Sequence, residues 1–262
     1  MADRKACFFD IDGTIWNEKN EIPESTVQAI RRLRENGHLA FLCSGRCRGY
    51  IWEPNLLGIG FDGIVAGCGT EILYQDKSVF YHRIDPKLME WAIVTCRSYG
   101  FRPILEGREY MYMDDAEFAH EFYGKKLKAD AGDRLKTIEG EWGRWEVSKF
   151  SCATDNADRE TCFRVLSKDF DFMIHNEAVA EIVPRGFHKG TGLRKVCELL
   201  HMDPADTFAF GDSNNDIGMM EAAGTSVAMG NGQDSVKKIA DYVTTPMFED
   251  GIWNACLHFG LL

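Results

Sequence analysis

The chain lacks any long apolar run. None of its stretches approaches the ~20 consecutive apolar residues that a membrane-spanning helix needs. The first five residues, Met1–Lys5, are too polar for the apolar part of a secretory signal. Internal repeats and low-complexity tracts are also missing. We therefore expect a globular protein of the cytoplasm that does not act in a membrane.

The sequence is also short of basic charge and of paired cysteines. Its 30 Lys and Arg residues are outnumbered by 41 Asp and Glu residues, and the net charge of −11 repels nucleic acids and anionic membranes. The nine cysteines are odd in number, and no two of them have C-x-x-C spacing. A reducing compartment therefore fits better than a disulfide framework or a zinc site. A small anionic substrate stays compatible with this composition, because it responds to the local field of its pocket.

Two carboxylates at the end of an apolar run are the most informative feature of the chain. Ala6–Phe9 are continuously apolar, and Asp10, Asp12 and Gly13 follow directly. A short apolar run that ends in a turn signal predicts a buried strand, and open α/β sheets bind ligands at the carboxyl ends of their strands. Two neighbouring carboxylates repel each other unless a cation lies between them, and oxygen ligands suit Mg²⁺. These residues alone are equally compatible with a polar turn after a strand.

Alternating strands and helices are predicted on both sides of a long middle block. Strands joined by a helix should be parallel neighbours, which brings Ser44 close to Asp10. The predicted strands of this pattern cover 6–9, 38–43, 63–66, 207–210, 225–229 and 242–244, with a hairpin over 71–81. The middle block mixes helical patterns (86–99, 115–123, 156–167) with strand-like runs (147–153, 170–175, 180–183). The predicted fold class is α/β, a parallel-sheet core (1–82 and 186–262) with an inserted α+β domain (83–185).

Four predicted elements bring polar groups to one edge of the core sheet. Asp10 and Asp12 end one strand, Ser44 and Asp212 end two others, and Lys189 begins a helix. Mg²⁺ shared by Asp10 and Asp212 would offset the repulsion between an attacking carboxylate and a phosphate dianion. Lys189, the Ser44 hydroxyl and backbone N–H groups could bind phosphoryl oxygens. In this arrangement Asp10 suits a covalent nucleophile, and Asp12 suits proton transfer.

Four motifs and a C-terminal segment carry a family resemblance. They read Asp10-Ile11-Asp12-Gly13-Thr14, Leu42-Cys43-Ser44-Gly45-Arg46, Lys189-Gly190, Gly211-Asp212-Ser213-Asn214-Asn215-Asp216, and Ala228-Met229-Gly230-Asn231 continuing to Thr244. In these residues the chain resembles the haloacid dehalogenase-like phosphatases, and within them the Cof-type sugar-phosphatase group. The resemblance implies a Rossmann-like core, Mg²⁺ dependence and an aspartyl-phosphate intermediate.

The resemblance also implies a role for each matching residue. It makes Asp10 the nucleophile and a metal ligand, Asp12 the acid–base group whose backbone carbonyl binds the metal, and Asp212 the remaining metal carboxylate. The residues implied to contact phosphate or substrate are Ser44, Gly45, Lys189 and Asn215, with Asp216 as a supporting carboxylate. One position departs from the family, because relatives often have Asn where this chain has Cys68. A side-chain amide contact at position 68 is therefore not carried over.

The spacing of the motifs indicates where the inserted domain lies. Only 30 positions separate Thr14 from Ser44, whereas 145 separate Ser44 from Lys189. An insert in the second interval resembles the phosphatases that carry the second kind of cap. We therefore expect Mg²⁺-dependent hydrolysis of small phosphomonoesters. The expected partner is a small phosphorylated metabolite: a sugar phosphate first, and a pyridoxal or flavin phosphate next.

Two alternative functions and two candidate roles remain open. A phosphotransferase or mutase acting on phosphosugars is disfavoured by the position of the insert. A non-enzymatic phospho-receiver or binding module would need neither the insert nor Asp12. Within the insert, Glu106, Arg108 and Tyr110 are candidates for substrate contacts. His188 is expected to be solvated or supporting, because Asp12 already fills the acid–base role.

Overall fold

Two sheets and nine α-helices make up the described part of the chain. The computed structural model describes residues 4–118, 122–155, 157–174 and 178–262. In chain order the strands are β1 (Ala6–Phe9), β2 (Leu39–Cys43), β3 (Gly63–Ala66), β4 (Glu71–Tyr74), β5 (Lys77–Tyr81), β6 (Arg102–Gly107), β7 (Met111–Tyr112), β8 (Leu135–Lys136), β9 (Val147–Ala153), β10 (Phe170–Ile174), β11 (Val179–Pro184), β12 (Thr207–Gly211), β13 (Thr225–Ala228) and β14 (Tyr242–Val243). The helices are α1 (Glu24–Glu35), α2 (Pro54–Leu57), α3 (Pro86–Ser98), α4 (Phe122–Ala131), α5 (Arg159–Leu166), α6 (Lys189–Leu200), α7 (Ile217–Ala222), α8 (Asp234–Ile239) and α9 (Gly251–His258). Among the described residues, no helix combines the length and the apolar character needed to cross a membrane.

The chain divides into two compact units. The first comprises the chain up to Gly45, Trp52–Phe80 and His188–Leu262, and the second comprises Arg46–Ile51 and Tyr81–Phe187. Arg46–Ile51 belongs to the second unit in this division, although it lies within the stretch 1–82 that is predicted as part of the core. Within the second unit, Cys47 packs in an apolar cluster with Ile104, and a Cβ on Gly49 would lie only 2.9 Å from the Gly107 carbonyl oxygen. These long-range contacts assign the segment to the second unit. The cap role of that unit stays a prediction.

The first unit contains a mainly parallel sheet with β1 in its middle. The strand order is β14-β13-β12-β1-β2-β3-β4-β5; the pairs from β14 to β3 are parallel, and β4 is antiparallel to β3. All four residues of β1 are buried, as expected for a strand of a covered parallel sheet. Phe9 is in register with Leu42 and Phe210, so β1, β2 and β12 leave the sheet at the same edge. The predicted α/β parallel-sheet core is confirmed.

Two further features of the first unit bear on the predictions. The predicted hairpin is present as β4–β5, and its two turn residues, Gln75 and Asp76, both have positive φ, as a two-residue hairpin turn requires. The helix α9 was not predicted. It packs against α1. The buried face of α1 is made by residues at helical spacing, Thr26, Ala29, Ile30 and Leu33.

The second unit is an α+β structure around its own sheet. The strand order is β10-β11-β9-β6-β7-β8, and neighbouring strands are antiparallel apart from β7 and β8, which are parallel. Its core joins residues of two helices, Ile93 of α3 and Leu166 of α5, to Phe150 of β9. Lys149, also on β9, is buried and bonds to Glu106 and to Glu181 on the two neighbouring strands.

The predictions for the middle block were partly correct. The predicted elements at 86–99, 147–153 and 180–183 correspond to α3, β9 and β11. The helix predicted over 115–123 was wrong, because Asp115–Glu117 is a single 3₁₀ turn and α4 runs from Phe122 to Ala131. Arg97 bonds to Asp114 and Glu117 at 2.6 and 2.7 Å and so fixes this segment as a turn. Residues 119–121, 156 and 175, which belong to three of the predicted elements, lie outside the described residues.

Candidate active site

Asp10 is fixed at the carboxyl edge of the sheet by the strand that precedes it. Its backbone N–H donates to the Phe210 carbonyl at 3.0 Å, so the pairing of β1 with β12 continues one residue past β1. The Asp10 side chain is 3% exposed. Its Oδ1 accepts a hydrogen bond from Lys189 Nζ at 2.6 Å. The first and third motifs therefore meet directly.

Lys189 reaches this edge because α6 begins close beside α7. A Cβ on Gly190 would lie 1.9 Å from the Gly218 carbonyl oxygen, so only glycine permits this approach of the two helices. His188 caps α6, because its Nδ1 accepts from the Gly190 N–H at 3.2 Å. His188 is therefore a supporting residue in this structure, and Lys189 is the first residue of the helix.

The Lys189 ammonium group is completely buried among oxygen atoms. Its side chain is 0% exposed, and Nζ donates to Asp10 Oδ1 at 2.6 Å, to Asp216 Oδ1 at 2.6 Å and to Asn215 Oδ1 at 3.3 Å. Burial alone would lower the pKa of Lys189, but the charges of Asp10 and Asp216 outweigh it and raise the pKa well above its usual value. The group is therefore a permanent cation.

Asp216 organises the loop that follows β12. Its Oδ2 accepts from the backbone N–H groups of Asp212 and Ser213 at 3.0 and 3.1 Å, while its Oδ1 accepts from Lys189. Asn215 is held in the same loop, because its Oδ1 also accepts from the Ser213 hydroxyl at 2.9 Å. One buried carboxylate thus fixes both Lys189 and the backbone that carries Asp212.

Asp212 lies against the loop that follows β1. Its Oδ1 accepts from the Thr14 hydroxyl at 3.3 Å. Gly13 has a φ of +88°, and a Cβ at this position would lie 2.4 Å from Asp212 Oδ2. Glycine is therefore required at position 13 by backbone conformation and by space. The first and fourth motifs are packed in direct contact.

Three carboxylates converge at this point. Each of Asp10, Asp212 and Asp216 offers an oxygen, and these atoms lie within 4.8 Å of one another. Three carboxylates and one ammonium group carry a net charge of −2 when all are ionised. Burial, reinforced by Asp216, raises the pKa of Asp10 well above its usual value. Burial, again reinforced by Asp216, raises the pKa of Asp212 to about 6.

The chemistry of this cluster fits a hard divalent cation. The three carboxylate groups offer only oxygen donors, which Mg²⁺ prefers. Burial and the charge of Asp216 together raise the pKa of Asp10 and Asp212 against the lowering effect of Lys189, and a bound cation would favour their ionised forms.

Asp12 is not one of these three carboxylates, and its side chain bonds to a different residue. It is exposed, and its Oδ1 accepts from the indole N–H of Trp16 at 2.9 Å. The metal contact implied for Asp12 uses its backbone carbonyl, so the side chain is left to its implied acid–base role. Asp12 therefore stays a candidate for proton transfer beside the cluster.

Ser44 and Gly45 follow β2, next to β1 in the sheet. Ser44 is buried; its N–H donates to the Val65 carbonyl at 2.9 Å, and its carbonyl accepts from the Cys68 N–H at 3.0 Å. Cys68 is buried with a φ of +56°. It therefore contributes a backbone contact that fixes Ser44.

Sequence reasoning missed several contacts of this site. It named Asp216 as a supporting carboxylate without its bonds to Lys189 and to the backbone of Asp212 and Ser213. It gave no role to Trp16 or to Thr14, which bond to Asp12 and Asp212. The signal for Trp16 was a large aromatic residue four positions after Asp12, directly before the polar run 17–21.

The candidate substrate residues of the second unit have partners within that unit. Glu106 is buried and bonds to Lys149 at 3.1 Å. The Arg108 guanidinium lies over the Tyr81 ring at 4.2 Å, and Lys136 Nζ lies 3.5 Å from the centre of the Tyr110 ring. Their contact with a substrate stays a prediction.

Comparisons with known proteins identify the family. A family model described as haloacid dehalogenase-like hydrolase matches residues 7–256. A putative phosphatase of Bacillus subtilis, YkrA, is 32% identical over 262 residues, which cover 99% of each chain. YitU of the same organism, named as 5-amino-6-(5-phospho-D-ribitylamino)uracil phosphatase, is 27% identical over 93% of each chain.

A solved structure supports the same assignment. The HAD subclass IIB sugar phosphatase BT4131 superposes with a TM-score of 0.84 at 25% identity, covering 98% of this chain and 100% of the other. The family predicted from the four motifs is thereby confirmed. The chain belongs to the haloacid dehalogenase-like hydrolases, and it is a phosphatase of that family.

Proposed function

We propose that the protein hydrolyses small phosphomonoesters with Mg²⁺, through a phosphoryl group carried on Asp10. The observation that carries this proposal is the buried contact of Asp10 with Lys189, beside Asp212 and Asp216, at the carboxyl edge of the parallel sheet. A nucleophilic carboxylate, a fixed cation and an oxygen site for a metal are the groups that phosphoryl transfer needs.

The residues that would hold Mg²⁺ are Asp10, Asp212 and the backbone carbonyl of Asp12, with Asp216 close by. When bound, Mg²⁺ supplies positive charge that lets a carboxylate approach a phosphate dianion. Asp216 supports the site by accepting hydrogen bonds from Lys189 and from the backbone N–H of Asp212.

The first chemical step in this proposal forms the bond to Asp10. Ser44, Gly45 and Asn215 donate to the phosphoryl oxygens, and Lys189 adds its positive charge. A carboxylate oxygen of Asp10 attacks phosphorus, and the bond from phosphorus to the ester oxygen breaks. The released alkoxide takes the proton of Asp12 and leaves as an alcohol.

The second step releases phosphate and restores the enzyme. A water molecule gives a proton to the Asp12 carboxylate and attacks phosphorus, and the bond to Asp10 breaks. Inorganic phosphate leaves, Asp10 is again a carboxylate, and Asp12 again carries a proton. Asp12 needs contact with solvent for this exchange, and its exposure is compatible with that role.

Substrate class and compartment are part of the same proposal. Related phosphatases are named for a sugar phosphatase activity and for a phosphorylated ribitylamino-uracil, so we propose sugar phosphates first, then pyridoxal or flavin-related phosphates. The second unit would act as the cap that keeps water out until substrate is seated. We place the reaction in the cytoplasm, where nine buried free thiols stay reduced.

The test is turnover of a generic aryl phosphate and of a panel of phosphorylated metabolites. We expect release of inorganic phosphate with Mg²⁺, loss of release with EDTA, and no turnover by Asp10→Asn. Asn at this position can still accept from Lys189, so the variant should keep its thermal unfolding transition. Near-normal turnover by Asp10→Asn would refute the covalent role.

The same assay separates the two alternatives. Transfer of the phosphoryl group to an added sugar hydroxyl, in place of release to water, would indicate a phosphotransferase. A single labelling event on Asp10 without turnover would indicate a phospho-receiver. Continuous phosphate release without an acceptor supports the hydrolase.

A further inference from the structure

Asn231 joins three loops around the candidate site. Its Nδ2 donates to the Gly13 carbonyl at 2.7 Å, and its Oδ1 accepts from the Met247 N–H at 2.8 Å. A carbonyl oxygen can only accept and an N–H can only donate, so these two partners fix the orientation of the amide. The segment from Ala228 to Asn231 carries part of the family resemblance, and the proposed chemistry assigns it no role.

The turn that carries Asn231 rests on the backbone of Asp212. The Gln233 N–H donates to the Asp212 carbonyl at 2.7 Å, and the Gly232 N–H donates to the Met229 carbonyl at 2.8 Å. A Cβ on Gly232 would lie 2.9 Å from the Asp212 carbonyl oxygen. The turn with Asn231 is therefore bonded to the backbone of Asp212, and the Asn231 side chain bonds to the loop that contains Asp12.

Gly13 is a position where the backbone of this loop can readily change conformation. It directly follows Asp12, its φ is +88°, and glycine has the widest conformational freedom of any residue. Within the loop, the Gly13 N–H donates to the Trp16 carbonyl at 2.9 Å, and the Trp16 indole bonds to the Asp12 carboxylate. A change in the Gly13 peptide would therefore also move the Asp12 side chain.

We infer that Asn231 is a positioning residue that orients Asp12 for proton transfer by holding the Gly13 carbonyl. The inference rests on the proposed function, because it assumes that Asp12 donates a proton to the leaving group. Small displacements of a catalytic group cost large factors in rate. The loss should therefore be largest where the leaving group depends most on that proton.

The test compares two substrates on the same protein. An alkyl phosphate such as glycerol phosphate needs a proton on its leaving oxygen, whereas p-nitrophenyl phosphate releases a stable phenolate that does not. Asn231→Asp keeps the acceptor for Met247 and loses the donor to Gly13. Asn231→Ala is measured in parallel, because Asp also adds a charge.

A matched control comes from a second asparagine of the same region. Asn254 Nδ2 donates to the Thr245 hydroxyl at 2.9 Å and to the Glu249 carbonyl at 3.2 Å. Asn254→Ala therefore loosens the loop that contains Met247 while Asn231 keeps its bond to Gly13. This control separates a general loss of loop order from the loss of the Gly13 contact.

For both Asn231 variants we expect kcat/KM on the alkyl phosphate to fall about 10- to 100-fold, because this constant reports the step that releases the leaving group. We expect kcat/KM on p-nitrophenyl phosphate to fall less than about threefold. The constant kcat does not distinguish the two substrates, since hydrolysis of the phosphorylated Asp10 uses Asp12 with both. Asn254→Ala should leave the ratio of the two rates at the wild-type value. The ratio does not depend on how much of a variant is folded, so a partly unfolded preparation still reports on the inference.

Two outcomes would overturn the inference, and a third is distinct from both. An equal loss of kcat/KM on both substrates would make Asn231 a purely structural residue. Unchanged rates would show that the Gly13 contact does not position Asp12. If the wild type releases no phosphate from either ester, the proposed function itself fails, and the inference fails with it.

Discussion

Replacing Asp212 with Asn should stabilise the metal-free protein at neutral pH while stopping catalysis. The Asp212 carboxylate is partly buried beside Asp216 and Asp10, and its pKa is raised from 3.8 to about 6. A raised pKa in an acid means that the folded state resists its ionisation. Asn removes the charge and keeps an oxygen that can accept from the Thr14 hydroxyl.

The size of the effect follows from the two pKa values. A rise from 3.8 to about 6 corresponds to about 3 kcal/mol of lost stability once the group is ionised, at about 1.4 kcal/mol per pH unit. Asp212 shares its interactions with Asp216 and Lys189, so part of this energy belongs to the cluster as a whole. We therefore expect the free energy of unfolding of Asp212→Asn to exceed that of the wild type by about 1–3 kcal/mol. Each kcal/mol should raise Tm by about 2–4 °C.

The sign of the pH dependence is fixed by the direction of the pKa change. Below the unfolded pKa both states of the wild type are protonated at Asp212, and the residue does not affect stability. As pH rises from about 4 to 6 the unfolded chain ionises first, so the wild type loses stability over this window. The gain in stability from Asp212→Asn should therefore be absent near pH 4 and complete above about pH 6.

The assay is denaturant unfolding of both proteins in EDTA across this pH range. Added Mg²⁺ should then stabilise the wild type more than the variant, because the variant has lost an anionic oxygen donor. A variant that is less stable than the wild type in EDTA at neutral pH would refute the charge repulsion in the cluster. An advantage that is the same at every pH would point to packing instead.

Three further substitutions test separate parts of the structure. Lys189→Met should lower the free energy of unfolding by about 3–5 kcal/mol at neutral pH, because it leaves buried carboxylates unpaired. The loss should be clearly smaller in acid, and urea unfolding at both pH values would measure the difference. Gly13→Ala should abolish turnover through its clash with Asp212, whereas Gly37→Ala, with a φ of +93° and no atom within 4 Å, should cost only the ~1–2 kcal/mol of backbone strain. Equal turnover by these two variants would contradict the steric argument. Lys149→Met should lower the thermal transition of the second unit and leave that of the first unchanged in calorimetry, because its carboxylate partners lie in the second unit.

The core sheet could be predicted because its signals are local. The continuous apolar run Ala6–Phe9 is buried on both faces, as a central parallel strand requires. The rule that strand–helix–strand units are parallel then placed the ends of β1, β2 and β12 together. The polar residues directly after these strands were the candidate site residues, so the location of the site followed from the strand order.

The features that were missed depend on contacts between distant parts of the chain. Arg46–Ile51 reads as the continuation of a strand end, yet Cys47 packs with Ile104 in the second unit. The segment at 115–118 has helical periodicity, but Arg97, from a different helix, fixes it as a turn through Asp114. Local periodicity carries no information about such partners.

The two acids of the first motif illustrate how the structure separates roles that the sequence presents together. Asp10 and Asp12 are two positions apart and chemically identical, and repulsion between them was the first reason to expect a cation. In the structure Asp10 is buried against Lys189, whereas Asp12 is exposed and bonded to the Trp16 indole. Different surroundings are what allow two identical groups to serve as nucleophile and as proton donor. The repulsion that a cation would relieve lies mainly between Asp10 and Asp216, 206 positions apart, because the charge of Asp216 raises the pKa of Asp10 more than the charges of Asp212 and Asp12 do. A cation at this site therefore depends on the fold that joins the first and fourth motifs.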